Sequence, residues 1–254
     1  MIKENIRYAD GCVFEGMTSI SAVINSKHSD RKIKRVLYDG QRAEKLGKAL
    51  SYLKHRADEQ GFEIIETTAE VIEKITVGNS HGGIIAECTD RRIPRIAAYD
   101  IEDDGFYVYI DGIEDPYNFG YAVRSLYAAG VSGIILPERN WLSAAGVVCR
   151  SSAGASELCA LYTYSDGMCD TFKSKGYRVL CADTENAVSV YDFDCRKPLL
   201  LAVGGEKRGI SRAFLDQADG IIKIDYGRDF PAALSAASAA SVLGFEIMRQ
   251  NRRI

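Results

Sequence analysis

Arg124 is the first candidate for a functional residue, because it is a charged side chain in an otherwise uncharged segment. Between Pro116 and Pro137 it is the only charged side chain, and Ala122 and Val123 precede it. A lone cation in so apolar a segment is expected to be paired, or to wait for an anion. An arginine that reaches off its helix to a structural carboxylate is an equally good interpretation of these residues taken alone.

A glycine-rich turn, residues 204–211 (GGEKRGIS), is the second candidate for a functional site. The apolar run 199–203 precedes it, so the pattern predicts a buried strand, a turn and a helix start, which together present free backbone N–H groups to a ligand. Glu206 occupies the middle glycine position of the dinucleotide fingerprint G-x-G-x-x-G, and no Gly-Lys-Ser/Thr of a P-loop follows. Glu206 is expected to be ionised beside a helix N-terminus. Taken alone, it is more simply interpreted as a first-turn glutamate that stabilises its own helix.

A strand–turn–helix–strand unit must position Arg124. Residues 106–110 and 133–136 are short apolar runs that predict strands, and Asn118 is predicted to cap the helix between them. Gly130 suits the left-handed residue that ends such a helix. This unit is the building block of a parallel α/β sheet.

Two α/β domains are predicted along the chain. The first, residues 1–95, contains an amphipathic helix over Gln41–Gln60. Residues 96–105, which include an acidic run, are predicted to be a linker. Residues 106–254 alternate strands and helices, which favours a mainly parallel sheet, and they end in a small-residue helix over Ala232–Arg249.

Composition narrows the class of protein. The 254 residues are 46% apolar and 26% charged, with a formal net charge of −3, as in ordinary globular proteins. No apolar run is long enough to span a bilayer, and the first residues lack the apolar core of a signal peptide, so a cytoplasmic protein is expected. Seven scattered cysteines and three dispersed histidines indicate reduced structural thiols and no metal site. Basic clusters such as 27–35 are solvated faces or, less often, phosphate contacts.

Taken together, these segments resemble the SpoU/TrmH family of RNA ribose 2′-O-methyltransferases, of the SPOUT superfamily. Residues 115–124 are similar to the first family motif and residues 203–211 to the second. Residues 152–155 and 78–86 match two further familiar stretches. In the third motif Leu234 matches, but Ser235 stands where asparagine is usual and Ala237 where serine is usual.

The resemblance implies an α/β protein with a C-terminal trefoil-knotted SPOUT methyltransferase domain, preceded by a small α/β RNA substrate-binding domain. It implies S-adenosyl-L-methionine as cofactor, ribosomal or transfer RNA as partner, no membrane and a homodimer. Two alternatives stay open: a catalytically weak or inactive RNA-binding protein of this fold, and an unrelated nucleotide-dependent α/β enzyme, against which the missing glycine fingerprints count.

The resemblance also implies site residues. The catalytic residues would be Asn118, Arg124, Glu206 and Ser235. The cofactor would be bound by Ala202, Val203, Gly204, Gly209, Ile224 and Leu234. RNA would be gripped by Lys32, Lys34, Arg35 and His81. Because guanidinium holds its proton so firmly, Arg124 is expected to clamp the RNA phosphate beside the target ribose, and not to act as the base.

Overall fold

The computed structural model describes residues 12–78, 80–137, 144–205 and 209–252. Its strands are β1 (Val13–Glu15), β2 (Ile33–Asp39), β3 (Glu63–Thr67), β4 (Ile84–Cys88), β5 (Phe106–Asp111), β6 (Gly133–Leu136), β7 (Leu161–Thr163), β8 (Arg178–Ala182), β9 (Val188–Ser189), β10 (Leu199–Gly204) and β11 (Gly220–Lys223). Its helices are α1 (Gly16–Asn25), α2 (Gly47–Gln60), α3 (Ala69–Ile75), α4 (Pro116–Ala128), α5 (Ala145–Ser151), α6 (Ala155–Leu158), α7 (Met168–Ser174), α8 (Arg212–Leu215) and α9 (Ala236–Gln250).

The chain forms two compact units. The first consists of Met1–Arg92 with Asn140–Leu158, and the second of Ile93–Arg139 with Cys159–Ile254. Each unit has its own sheet. In the described residues no helix is long and apolar enough to cross a membrane.

The first unit is built on a four-stranded sheet in the order β1-β4-β2-β3. β4 pairs antiparallel with β1 and β2, while β2 and β3 run parallel. Phe14, Ile20, Leu53 and Ile84 are almost completely buried in its core. The predicted amphipathic face of α2 therefore packs as expected, because Leu50 and Leu53 are its two buried residues.

Two short helices, α5 and α6, belong to the first unit because they are buried in it. A Cβ at Gly146 would overlap the carbonyl oxygen of Val13, so only glycine lets α5 lie so close to β1. In α6, Glu157 accepts a hydrogen bond from Arg31 Nε at 3.2 Å, and both side chains are buried. Leaving either charge unpaired would cost about 3–5 kcal/mol, so the pair fixes α6 in place.

The second unit is built on a seven-stranded sheet in the order β7-β6-β5-β10-β8-β11-β9. All six neighbouring pairs are parallel, which confirms the predicted parallel sheet. β5 and β10 lie side by side at its centre, with Gly204 opposite Asp111. The two strands that precede the candidate motifs therefore end at the same edge of the sheet.

Aromatic side chains attach the segment before β5 to this second sheet. The rings of Tyr107, Phe172 and Tyr177 meet edge to face at centroid distances of 5.0–5.9 Å. The Tyr177 hydroxyl donates to the carbonyl oxygen of Glu102 at 2.6 Å, and the Tyr107 hydroxyl to that of Asp100 at 2.7 Å. Burial raises the pKa of Tyr177 to about 12, so its hydroxyl keeps the donated proton.

The cysteines have the properties of structural thiols. Cys88, Cys149, Cys159, Cys169, Cys181 and Cys195 are buried, Cys12 is half-buried, and all seven are free. Burial raises the pKa of Cys149 to about 12 and that of Cys169 to about 11. Both therefore stay protonated and unreactive near neutral pH.

Two helices begin several residues later in the structure than the sequence predicts. The helix predicted from Gln41 begins at Gly47, because Asp39 accepts the Gln41 N–H and holds a separate 3₁₀ turn over Gly40–Arg42. The helix predicted from Ala232 begins at Ala236, because Ser235 caps it. In both cases a side-chain cap sets the boundary more sharply than apolar periodicity does.

Candidate functional site

The glycine turn meets the end of β5, which leads into the first motif, at the carboxyl edge of the second unit's sheet. The Gly205 N–H donates to the Asp111 carbonyl at 2.5 Å, and the Ser211 N–H donates to Asp111 Oδ2 at 3.2 Å. A Cβ at Gly205 would overlap the Gly112 carbonyl. The backbone of the glycine turn therefore packs directly against the backbone after β5, at two residues that have no side chain. The carboxyl edge is where open parallel sheets bind ligands.

The glycine turn has residues without side chains, Gly204 and Gly209, on either side of the three residues that the structure does not describe. Gly209 has φ +62°, in the left-handed region that favours glycine, and a Cβ at Gly204 would overlap the Gly209 backbone. The structure thus brings the predicted cofactor residues Gly204 and Gly209 together. Glu206, predicted between them, lies outside the described residues.

The start of α4 corrects the predicted role of Asn118 as a cap. The helix begins at Pro116, and the Asp115 side chain caps it by accepting the Asn118 N–H at 2.8 Å. Proline suits the first helical position because its missing N–H would find no partner there. Asn118 is therefore the capped residue, half-buried in the first turn. The Asp-Pro dipeptide was the signal in the sequence that could have identified the cap.

Arg124 projects from α4 into solvent. Its neighbours Ala122 and Val123 are completely buried, whereas Arg124 is exposed. Within the described part of the chain, its side chain makes no hydrogen bond or ion pair. Six residues of helix place Arg124 about 9 Å along the axis from Asn118 and about 120° around it. The two residues therefore share a helix but not a face.

The third-motif residues flank an exposed loop. Ile224 directly follows β11 and is half-buried, and Leu234 is 37% exposed at the other end of the loop. The Leu234 N–H donates to the Tyr226 hydroxyl at 2.9 Å, a contact that no sequence pattern predicts. Ser235 caps α9 by accepting the Ser238 N–H at 3.2 Å, and Ala237 is buried.

The remaining predicted cofactor residues lie deeper. Ala202 and Val203 are buried in β10, so they are available only as the floor of a pocket. β8 separates β10 from β11, which places Ile224 about 10 Å from Gly204 across two strand spacings. A cavity of about 200 Å³ in the same unit is lined by other residues, Arg95, Tyr109, Pro137, Tyr164, Ser165 and Asp166. Among the described residues, no group of three or more His, Cys, Asp or Glu could hold a metal ion.

The predicted RNA-binding residues lie in the first unit and differ in their surroundings. Lys32, directly before β2, and Lys34, on β2, are exposed. Arg35 forms a two-pronged ion pair with Glu87 on the neighbouring strand, at 2.7 and 3.2 Å. His81 Nδ1 accepts the Gly83 N–H at 3.1 Å. The two lysines are thus surface cations, while Arg35 and His81 also have structural partners.

Comparison with known proteins agrees with this arrangement. The family model of the SpoU rRNA methylase family matches residues 105–245. The 23S rRNA (guanosine-2′-O-)-methyltransferase RlmB of Shewanella oneidensis is 28% identical over 93% of this chain and 96% of its own length.

Solved structures of similar fold include an AdoMet-bound rRNA methyltransferase from Sinorhizobium meliloti. It has a TM-score of 0.75 at 22% identity and covers 94% of this chain and 87% of its own. The SpoU methyltransferase AviRb of Streptomyces viridochromogenes, in complex with AdoMet, has a TM-score of 0.73 at 23% identity over 94% of this chain and 91% of its own. The fold is therefore the α/β fold of SpoU methyltransferase structures. Since the matching family model spans more than half of the sequence, the chain belongs to the SpoU rRNA methylase family.

Proposed function

We propose that the protein transfers a methyl group from S-adenosyl-L-methionine to a ribose 2′-hydroxyl of ribosomal or transfer RNA. The observation that carries this proposal is the contact of the second motif with Asp111 and Gly112, which lead from β5 into the first motif on α4. That helix also carries an exposed arginine, Arg124. Membership of the SpoU rRNA methylase family and the relative from Shewanella oneidensis support the reaction class.

The residues at this edge fit the proposed cofactor. Adenosine combines a flat apolar ring with a polar edge, so it suits apolar side chains set around free backbone groups. Gly204 and Gly209 leave backbone unshielded by side chains, and Leu234 and Ile224 are apolar yet accessible. With Ala202 and Val203 as the floor, these six residues would hold the cofactor. When bound, S-adenosylmethionine supplies a methyl group already activated on a sulfonium.

The protein's own task is to orient the ribose and to help its hydroxyl lose a proton. Arg124 would hold the phosphate beside the target ribose with its planar fork, and so fix the hydroxyl and stabilise developing negative charge. A guanidinium is a poor base because it keeps its proton throughout the physiological pH range. Asn118 would keep the first-motif loop in shape, Glu206 would hold an arginine or the cofactor, and Ser235 would position the third motif.

RNA would be gripped by the N-terminal residues 1–95, through Lys32, Lys34, Arg35 and His81. The two lysines offer exposed charge for phosphates, which is how proteins position RNA without reading its sequence. In this proposal residues 106–254, apart from α5 and α6, which belong to the first unit, form the methyltransferase domain, and residues 96–105 are the linker. The cytoplasm follows as the proposed compartment because the proposed substrate is cellular RNA.

We also propose the two architectural features that the family resemblance implies, a trefoil knot in the methyltransferase domain and a homodimer. The support for a dimer is that the packed helices α4 and α9 both carry exposed aromatic side chains, Tyr121 at 49% and Phe245 at 44%. Exposed apolar side chains on neighbouring elements commonly mark an interface.

The alternative is an RNA-binding protein of this fold with weak or no turnover. It is favoured by the third motif, because the Ser235 hydroxyl is engaged in capping α9 and Ala237 offers no polar group. The deciding experiment incubates the protein with labelled S-adenosylmethionine and total RNA from cells that lack the gene. Transfer that maps to a 2′-O-methyl nucleotide supports the enzyme. Retention of that RNA without any transfer supports the binding protein.

A further inference from the structure

The 225–234 loop begins directly after Ile224 and ends at Leu234, two of the proposed cofactor residues. It exposes aromatic side chains beside the proposed cofactor site. All ten of its residues are exposed. Phe230 is 58% exposed and Tyr226 39%, and their ring centroids lie 6.4 Å apart with the planes tilted by 46°. Single exposed apolar residues are ordinary on a protein surface. What requires explanation is that Tyr226 and Phe230 are exposed next to the proposed cofactor site.

The loop is held in this shape by its own contacts. The Tyr226 hydroxyl accepts the Leu234 N–H, which ties the first turn of the loop to its last residue. Ser235 then caps α9 directly after the loop. Tyr226 is therefore anchored at its hydroxyl, whereas Phe230, which has no polar atom, presents a free face to solvent.

We infer that Phe230 stacks on the unpaired nucleobase of the nucleotide whose ribose is methylated. The inference rests on the proposed function and adds the element that receives the base. A nucleobase is bonded to the ribose carbon next to the one that carries the 2′-hydroxyl. A hydroxyl brought to a methyl group held between Gly204 and Leu234 therefore carries its base to the same edge of the sheet.

Stacking suits such a base for physical reasons. A single-stranded base exposes two π-faces, and proteins that bind unpaired RNA commonly cover one with an aromatic ring. Every base has such a face, so Phe230 would hold the target nucleotide without selecting its identity. Arg228, exposed in the same loop, supplies a positive charge for a neighbouring phosphate.

The test compares the full-length wild type with Phe230→Ala and Phe230→Trp. Each is assayed for methyl transfer from labelled S-adenosylmethionine to total RNA from cells lacking the gene. Phe230→Ala should raise the KM for RNA by about tenfold, whereas the tryptophan variant stays within about twofold of wild type. Tyr99→Ala is the matched control, because Tyr99 is 88% exposed in the turn that leads to the amino end of β5. Its KM should equal that of wild type.

Two further measurements separate stacking on RNA from other roles of the ring. Calorimetry with S-adenosylhomocysteine should give the same affinity for wild type and Phe230→Ala. An affinity that falls as far as the KM for RNA rises would mean that Phe230 packs on the cofactor, which overturns the inference. Sedimentation should give both proteins the same mass. Dissociation of Phe230→Ala would assign the ring to an interface between copies and likewise overturn it.

The salt dependence of RNA binding distinguishes the contribution of the Phe230 ring from that of the Arg228 charge. Phe230→Ala should weaken retention of the RNA on filters at every salt concentration without changing the slope of log affinity against log salt. Arg228→Ala should reduce that slope by about one. If wild type transfers no methyl to any RNA, the proposed function fails, yet retention still tests Phe230. Equal retention by wild type and Phe230→Ala overturns the stacking inference.

Discussion

Arg124 illustrates how far a single side chain can be interpreted from its neighbours. The sequence left an ion-paired arginine and an arginine awaiting an anion equally open. Buried Ala122 and Val123 force the side chain outward, and within the described residues it has no carboxylate partner. An exposed cation with no carboxylate partner among those residues favours the second interpretation.

We expect Arg124→Lys to abolish most methyl transfer while the affinity for S-adenosylhomocysteine stays within a few-fold of wild type. Lysine keeps the charge but loses the planar fork that can hold a phosphate through two hydrogen bonds. Steady-state kinetics with labelled cofactor and calorimetry measure the two quantities. Activity above about a tenth of wild type, a loss below roughly 1.4 kcal/mol, would mean that Arg124 is only a surface cation.

The control for this substitution is Arg196→Lys. Arg196 is also exposed and pairs only with Asp194 two residues away among the described residues, at 2.8 Å. Exposed ion pairs of this kind contribute little to stability. The control should therefore keep full activity.

Ser235 and Ala237 depart from the usual third motif, and the structure explains why the departure is tolerated. Ser235 is the cap of α9, a position at which asparagine performs about as well as serine. The double change Ser235→Asn with Ala237→Ser should keep the fold and leave activity equal or higher. If wild type is inactive and the double change restores methyl transfer to cellular RNA, the natural chain is a binding protein.

The cap itself can be tested separately. Ser235→Ala removes the acceptor of the Ser238 N–H, so the free energy of unfolding should fall by about 1 kcal/mol. Denaturation in urea measures this loss. An unchanged midpoint would show that α9 does not depend on its cap.

The packing of α4 on α9 shows what small residues do in the last helix. The sequence left open whether they meet another chain or pack internally. Ala236, Ala237, Ala240 and Gly244 are buried within the second unit, and the hydroxyl oxygens of Ser241 and Ser125 lie 2.7 Å apart. These residues therefore pack inside the chain.

Gly244→Val should destabilise the second unit by about 1–3 kcal/mol, because it overfills a packed contact. A Cβ at this position already comes within 3.1 Å of Leu126 Cδ2 and 3.4 Å of Ala129 Cβ. Thermal unfolding followed by circular dichroism measures the effect. Ala128→Val, at an exposed position of α4, should change the melting temperature little. Equal melting temperatures for both variants would contradict tight α4–α9 packing.

Most helices and strands could be predicted because they carry strong periodic or apolar signals. The strand at 133–136 is found with the predicted bounds. β1, β7 and β9 escaped prediction because two or three residues hold no period, and only tertiary pairing makes them strands. The placement of α5 and α6 in the first unit depends on the Arg31–Glu157 pair, whose partners are 126 residues apart in the sequence.

For the whole molecule, the sequence predicted two α/β units and a parallel sheet, but it could not predict which strands are neighbours. β10 lies between β5 and β8, an order set by long-range packing and not by local pattern. That order brings residues 111 and 204 to the same edge of the sheet. The candidate site was therefore predictable as a set of motifs, whereas its geometry required the fold.

The proposed dimer requires an exposed surface. Because the small residues of α9 pack internally, we expect the dimer to use exposed aromatic side chains of α4 and α9, such as Tyr121 and Phe245. Sedimentation equilibrium at micromolar concentration should give about twice the chain mass of 27.9 kDa. Phe245→Glu should give the single-chain mass, because a carboxylate buried in an apolar interface without a partner is strongly unfavourable. Tyr99→Glu, at an exposed position outside α4 and α9, should remain dimeric. Wild type at the single-chain mass would reject the dimer.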